Sequence, residues 1–185
     1  MLPVFIALLI LAVILLFWGI GIYNRLIGLK NTVDSAWSDM DVQLKRRYDL
    51  IPNLLETVKG YAKHEEGVFT KVTEARTQAM RAKTPAQIGT AEAALAGAMT
   101  SLFAVVENYP DLKASQNFQD LQNDLEDTEN QIQSSRSVYN KQVRVFNTAT
   151  QQFPNNVIAG LFGFKSREFF EIENKKEKEA PKIKF

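Results

Sequence analysis

From Leu2 to Tyr23 the chain carries apolar residues and no charged side chain. From Leu26 the pattern changes to apolar positions at steps of three and four: Leu26, Leu29, Val33, Trp37, Met40, Leu44, Tyr48, Ile51, Leu55, Val58 and Tyr61. The first pattern predicts a helix with apolar surroundings on every side, and the second a helix with one buried stripe. About 20 residues at roughly 1.5 Å each match a hydrocarbon core of about 30 Å. Pro3 falls in the first turn, where a missing N–H costs little. Phe17, Trp18 and Tyr23 stand toward the far end, where an aromatic interface belt is expected. A cleavable signal peptide needs a basic leader, a shorter apolar core and a small-residue cleavage site. Met1-Leu2-Pro3 offers no basic side chain and no A-x-A site follows the run, so residues 1–24 read as an uncleaved transmembrane anchor.

Beyond the anchor every strong periodicity is helical, which predicts an all-α fold. Pro52 interrupts the backbone but not the phase of the stripe, so it predicts a kink in a helix of about 25–62 rather than an end. The apolar signal drops out over Lys63-His64-Glu65-Glu66-Gly67 and resumes with Val68, Val72, Ala75 and Ala79. A turn there makes a second helix of about 68–83, and without one the chain forms a single very long hairpin. Thr84-Pro85-Ala86-Gln87 combines an N-cap, a proline at the first helical position and a glutamine three residues after the cap. The stripe that follows is Ile88, Leu95, Met99, Leu102, Val106 and Tyr109, ended by Pro110. A last helix of about 116–153 carries Phe118, Leu121, Leu125, Ile132, Tyr139, Val143, Phe146 and Phe153. Its acidic residues come early and its basic residues late, as the helix dipole favours. The lengths predict an up-down four-helix antiparallel bundle over 25–153, with Phe153 back near the membrane end.

After Phe153-Pro154 the helical period is lost. Half of the twelve phenylalanines fall between Phe153 and Phe185. The segment 154–172 offers a candidate second membrane contact in Val157, Ile158, Leu161, Phe162, Phe164, Phe169 and Phe170, with Lys165 and Arg167 beside the headgroups. The competing reading is that these rings cover the open end of the bundle. Residues 173–185 form a mixed-charge tail, in which Pro181–Phe185 has the form of a strand that adds to a partner.

Charge and composition narrow the chemistry. A net charge of +1 gives no electrostatic case for nucleic acid. With no cysteine and one histidine, disulfides, thiolate sites and most histidine-based catalysis drop out. His64-Glu65-Glu66-Gly67-Val68 lacks the second histidine of HExxH, and a di-iron bundle site needs Glu-x-x-His twice. No phosphate-binding P-loop and no G-x-S-x-G elbow occurs, so no catalytic, metal or cofactor site is expected. His64 reads as an exposed residue at a helix end. The block around Asp39, Asp41, Lys45, Arg46, Arg47 and Asp49 is either a solvated, salt-bridged helix face or a docking surface for lipid phosphates, a neighbouring protomer or a partner protein. Positive charge near the anchor lies on its C-terminal side, at Arg25, Lys30 and Lys45-Arg46-Arg47. The positive-inside bias therefore favours an outside N-terminus and a cytoplasmic domain.

Several stretches resemble one family closely. They are Tyr23-Asn24-x-Leu26, the run from Ala36-Trp37-Ser38-Asp39 through Tyr48-Asp49-Leu50-Ile51-Pro52-Asn53-Leu54, Val58-Lys59-Gly60-Tyr61-Ala62-x-His64-Glu65 and Val72-Thr73-Glu74-Ala75-Arg76. Further on come Thr128-Glu129-Asn130-x-Ile132, Tyr139-Asn140, Phe153-Pro154-x-Asn156-x-Ile158-Ala159 and Phe162-Gly163-Phe164. In this order, from anchor to tail, the chain resembles the LemA family. The resemblance implies one N-terminal membrane helix, a cytoplasmic or envelope-facing helical bundle and a bacterial source, but no established reaction. It also implies kinship with proteins linked to internal membranes of magnetotactic bacteria. The leading expectation is a non-enzymatic, single-pass scaffold in the bacterial cytoplasmic (inner) membrane, contacting the lipid bilayer and forming a homo-oligomer that organises membrane or membrane proteins. The second is an adaptor or regulator with a membrane-protein partner, such as a membrane metalloprotease. An enzyme would require carboxylates alone, among them Glu56, Glu65, Glu74 and Glu129, to meet in a buried cleft.

Overall fold

Pro52 stands inside the first helix without ending it: α1 runs over Leu2–Tyr61. A proline has no N–H, so the carbonyl four residues earlier, that of Tyr48, loses its helical donor. The second helix, α2 (Glu66–Arg81), supplies one, with Arg76 Nε donating to the Tyr48 carbonyl at 2.6 Å. The stripe keeps its phase across the proline, since Tyr48, Ile51, Leu55 and Val58 are all buried. It departs from expectation at its end, where Tyr61 is exposed and Ala62, just past the helix, is buried in its place.

The computed structural model describes residues 1–171. Among them are six helices and no strand, so the fold is all-α. A turn at Ala62–Glu65 separates α1 from α2, which removes the single-hairpin alternative and leaves His64 exposed. Phe69 rather than Val68 begins the buried face of α2, which continues through Val72, Ala75 and Ala79. The third helix, α3 (Pro85–Val106), starts with the expected capping box: Gln87 N–H donates to Thr84 Oγ1 at 3.2 Å and Thr84 N–H to Gln87 Oε1 at 3.3 Å. Pro110 does not follow α3 directly. It opens a single turn, α4 (Pro110–Lys113), whose Leu112 is fully buried. The fifth helix, α5, covers Gln116–Gln151, and the stretch expected to be irregular after Pro154 holds a short helix, α6 (Asn155–Leu161).

These elements divide into two compact units. The first joins Met1–Asp39 to Ser137–Glu168, and so combines the N-terminal part of α1 with the end of α5 and with α6. Its core includes a cluster of Ile22 and Leu26 of α1, Ala149 of α5 and Ala159 of α6, with Leu29, Ile158 and Phe164 packed against them. Trp37 stacks at a tilt on Tyr139, ring centres 5.1 Å apart.

The second unit takes Met40–Arg136 together with the last described residues, 169–171. Here the chain reverses at each turn. Arg76 of α2 meets Tyr48 of α1, Glu92 of α3 meets Arg47 of α1, and Tyr109 after α3 returns to Glu65 before α2. Glu129 of α5 comes back to Arg47. Four helical segments thus run antiparallel around a core that includes Met40, Leu44, Ile51, Leu54, Val72, Leu95 and Leu102, each no more than 1% exposed. The expected tail, 173–185, lies outside the described residues.

The Arg76 bond is testable by a double-mutant cycle. Arg76→Leu is expected to cost about 1.5–3 kcal/mol while Pro52 is present, because it strands a buried carbonyl. In a Pro52→Ala background the helix recovers its own N–H donor, and the same change should cost less than about 1 kcal/mol. Urea unfolding of the full-length protein in detergent measures both. Equal costs in the two backgrounds would show that Arg76 is not compensating for the proline.

Candidate functional site

Two constellations gather the functional side chains, one in each unit. In the first unit α6 lies against α1 where the apolar run ends. A methyl group built on Gly19 would stand 3.7 Å from Ile158 Cδ1. Tyr23 meets Phe162 at 4.7 Å between ring centres and Phe164 edge-on at 5.8 Å, and Phe146 of α5 reaches Phe164 at 6.5 Å. The local sequence explains how Phe164 gets there. Gly163 has φ +71°, a left-handed conformation that glycine adopts without a Cβ penalty. It ends α6 in a Schellman motif, with Phe164 N–H donating to the Ala159 carbonyl at 2.9 Å and Gly163 N–H to that of Gly160 at 3.4 Å. The chain therefore doubles back and carries Phe164 into the core.

The strap that follows is tied down at three points. Asn147 clasps the backbone of Arg167 with both ends of its amide, at 2.9 and 2.8 Å. Tyr139 Oη donates to the Glu168 carbonyl at 2.9 Å. The Arg167 guanidinium pairs with Asp34 at 2.7 Å. Burial pushes the Tyr139 phenol up, which keeps its proton available for that bond. Arg167, expected beside lipid headgroups, is thus engaged by a carboxylate of α1.

The expected second-contact residues separate into two sets. Val157, Leu161 and Phe162 are exposed, Leu161 at 74%, and Phe169 is exposed to a lesser degree; Phe153, outside that set, is exposed at 80%. Ile158 and Phe164 face the core and Phe170 is buried. Those three are packing residues.

In the second unit a partly buried ion cluster joins three helices. Arg47 Nη1 donates to Glu92 Oε2 at 2.8 Å and pairs with Glu129 at 2.9 Å. Tyr48 Oη donates to the other Glu92 oxygen at 2.6 Å. Glu92 is 4% exposed and the Arg47 side chain 13%, so Arg47 leaves the expected interaction surface. The reason is geometric: at position 47 the helix turns the guanidinium toward α3 and α5, where two carboxylates wait. Arg46, half exposed, stands 4.0 Å from Asp124, while Asp39, Asp41, Lys45 and Asp49 are exposed and have no ion pair among the described residues.

Burial pushes the Glu92 carboxyl above the usual carboxylate range, against the pull of the Arg47 guanidinium and the Tyr48 hydroxyl. Burial, and then the Glu92 charge, push the Tyr48 phenol strongly up. Both Glu92 oxygens are taken by these two partners, which makes the group a clasp between helices. Of the carboxylates considered for catalysis, Glu65 bonds Tyr109, Glu129 pairs with Arg47, and Glu56 and Glu74 are exposed. They do not meet in one cleft.

Comparison with known proteins agrees with this picture. A family model described as the LemA family matches residues 36–185. The chain belongs to the LemA family. It is 23% identical to "Magnetosome protein MamQ 2" of Paramagnetospirillum magneticum, an alignment covering 80% of this chain and 64% of that protein. It is likewise 23% identical to "Magnetosome protein MamQ" of Magnetospirillum gryphiswaldense, with the same coverage. "Protein LemA" of Metamycoplasma hominis is 26% identical over 76% of this chain and 64% of its own length. The chain spans less than two thirds of the length of these relatives.

Sequence reasoning missed Glu92, Arg76 and α6. Glu92 was detectable as the one charged residue of a 22-residue helix, lying on the apolar stripe between Ile88 and Leu95. Arg76 answers a demand that Pro52 announces, an unpaired carbonyl at Tyr48, but nothing local tells which side chain meets it.

Because the Glu92 value is raised in the folded state, the stability it contributes is fully present below its ordinary value of 4.5 and is lost as pH rises through the raised one. Glu92→Gln removes that titration. The wild-type stability minus that of Glu92→Gln should therefore fall as pH increases from about 4.5 upward, measured by urea unfolding across a pH series. A difference that grows with pH would mean that the Arg47 pair outweighs burial.

Proposed function

We propose that this LemA-family protein is a single-pass, non-enzymatic scaffold that self-associates through its helical bundle to organise membrane or membrane proteins. The observation that carries the reading is the outer face of α3. By length and composition this helix is apolar enough to cross a bilayer, yet less than half of its most apolar stretch is buried. Its inner face is spent on the bundle: Ile88, Leu95, Met99, Leu102 and Val106 are buried and Glu92 is ion-paired. Its outer face exposes Ala93, Ala94, Ala96, Gly97, Thr100, Ser101 and Ala104, none of them charged, and Ala94, Gly97 and Ser101 border a groove whose other wall holds Lys71 and Glu74 of α2. Small side chains let a second helix approach closely, and a solvated bundle helix ordinarily carries charge on its outer face.

The anchor supports membrane attachment, since every residue from Leu2 to Phe17 is exposed and apolar, in a helix long enough to span. Of the residues flanking it, those of the first unit are mainly basic: Arg25, Lys30, Lys141, Arg144, Lys165 and Arg167 against Asp34, Asp39 and Glu168. This favours a cytoplasmic bundle on a bacterial inner membrane, with the N-terminus outside. The names of the relatives associate them with magnetosomes, which agrees with a role in organising membrane.

Gly97 separates self-association from stability. A Cβ at Gly97 meets nothing within 4 Å in the single chain, so Gly97→Leu meets no clash at its first side-chain carbon, and the rest of the side chain has the open groove beside α2 to enter. We expect wild-type protein in lipid nanodiscs to crosslink to itself, and Gly97→Leu to reduce that product several-fold with the urea midpoint unchanged or raised. A wild-type protein that stays monomeric in lipid would overturn the scaffold. Crosslinking that instead traps a different protein, and is lost in Lys45→Glu with Arg46→Glu, would replace the scaffold with the adaptor.

A further inference from the structure

We infer that α6 and the corner at Phe153 lie in the headgroup–acyl boundary of an anionic bilayer, forming a second lipid contact beside the anchor. The first support is chemical. Between Arg144 and Lys165 the chain has no charged side chain, and within this stretch Phe153, Val157, Leu161 and Phe162 are exposed. A seven-residue helix is too short to hold itself together, so α6 depends on what covers it. One side is covered by the chain: Ile158 and Ala159 pack on Ile22 and Leu26. Val157 and Leu161, four residues apart, share another side, which is open and apolar.

The second support is position. The packed side of α6 rests on α1 between Gly19 and Leu26, where the apolar run gives way to Asn24 and Arg25. Trp18 and Ile20, at the same level of α1, are themselves exposed at 54% and 45%. The open side of α6 therefore continues the lipid-facing surface of the anchor at the depth where aromatic side chains favour the interface. Continuity with that surface selects lipid over a protein partner. The exposed Arg25 and Lys165 flank the patch and suit anionic headgroups.

The chain contains no cysteine, so single-cysteine spin labels report without interference. Labels at Leu161→Cys and Val157→Cys, with Ile10→Cys in the anchor and Gln78→Cys on α2 as references, are read in full-length protein reconstituted into phosphatidylglycerol/phosphatidylcholine vesicles. At 161 and 157 we expect collisions with oxygen to exceed those with a water-soluble nickel chelate, as at position 10 and opposite to position 78. In phosphatidylcholine alone both labels should shift toward the aqueous side. Water-like accessibility at 161 and 157 in both vesicles would overturn the contact. Spin–spin broadening between copies at 161 would place a second protomer there and overturn it too. Identical depth in the two lipids would overturn the anionic preference. None of these readings depends on Gly97, so the contact and the self-association fail separately.

Discussion

A single missing N–H constrains the second unit. Pro52 leaves the Tyr48 carbonyl without a donor in the middle of a buried helix face, and a buried carbonyl without a partner costs about 1–3 kcal/mol. Arg76 closes that deficit from α2, which fixes the height of α2 against α1. The same residue, Tyr48, then holds Glu92 of α3 through its hydroxyl, and its neighbour Arg47 holds Glu92 and Glu129. Within two adjacent residues of α1, therefore, every other long segment of the unit finds a polar partner. Apolar packing alone can be satisfied in alternative registers one ridge apart. These directional bonds cannot, and they set the register in which Leu44, Ile51, Leu95 and Leu102 interlock.

The buried cluster has a cost that clarifies its role. A buried ion pair is weak evidence for stability, because desolvation offsets much of the Coulombic gain. The upward push on Glu92 expresses that cost: the protonated carboxyl is favoured more than in water. What the cluster supplies is specificity, since an Arg47 left without its carboxylates, or a Glu92 left without Arg47, would be strongly unfavourable. Misregistered bundles break these contacts before they lose much apolar burial.

The elements with long unbroken periodicity were legible before the structure: the apolar N-terminal helix, its continuation through Pro52, the capping box of α3 and most of α5. What was not legible falls where long-range contacts override local pattern. Arg47 looked like surface because its immediate neighbours Lys45 and Arg46 are surface, and the two carboxylates that draw it inward are 45 and 82 positions away along the chain. Tyr61 continues the stripe by count but lies at a helix end, where the turn presents Ala62 instead. The segment after Pro154 lacks a helical signature since seven residues give fewer than about two turns to show one. Its Phe162-Gly163-Phe164 was recognisable as a motif, but its meaning, a left-handed stop that returns Phe164 to the core, needs the contacts with Tyr23 and Phe146.

Two apolar surfaces are open among the described residues, and their chemistry differs in a way that underlies the two different partners proposed for them. The outer face of α3 is made of alanine, glycine, serine and threonine. Such a face offers little area to lipid or to a flexible ligand, but it lets another helix backbone come close, where many weak contacts add up. The outer side of α6 carries valine and leucine, and the exposed Phe162 that follows it meets Tyr23. Large side chains keep a partner backbone at a distance and instead present area, which a fluid acyl region covers without needing complementary shape. The proposed partners follow from this difference: a surface of small residues suits a second helix, and a surface of large apolar residues suits a bilayer.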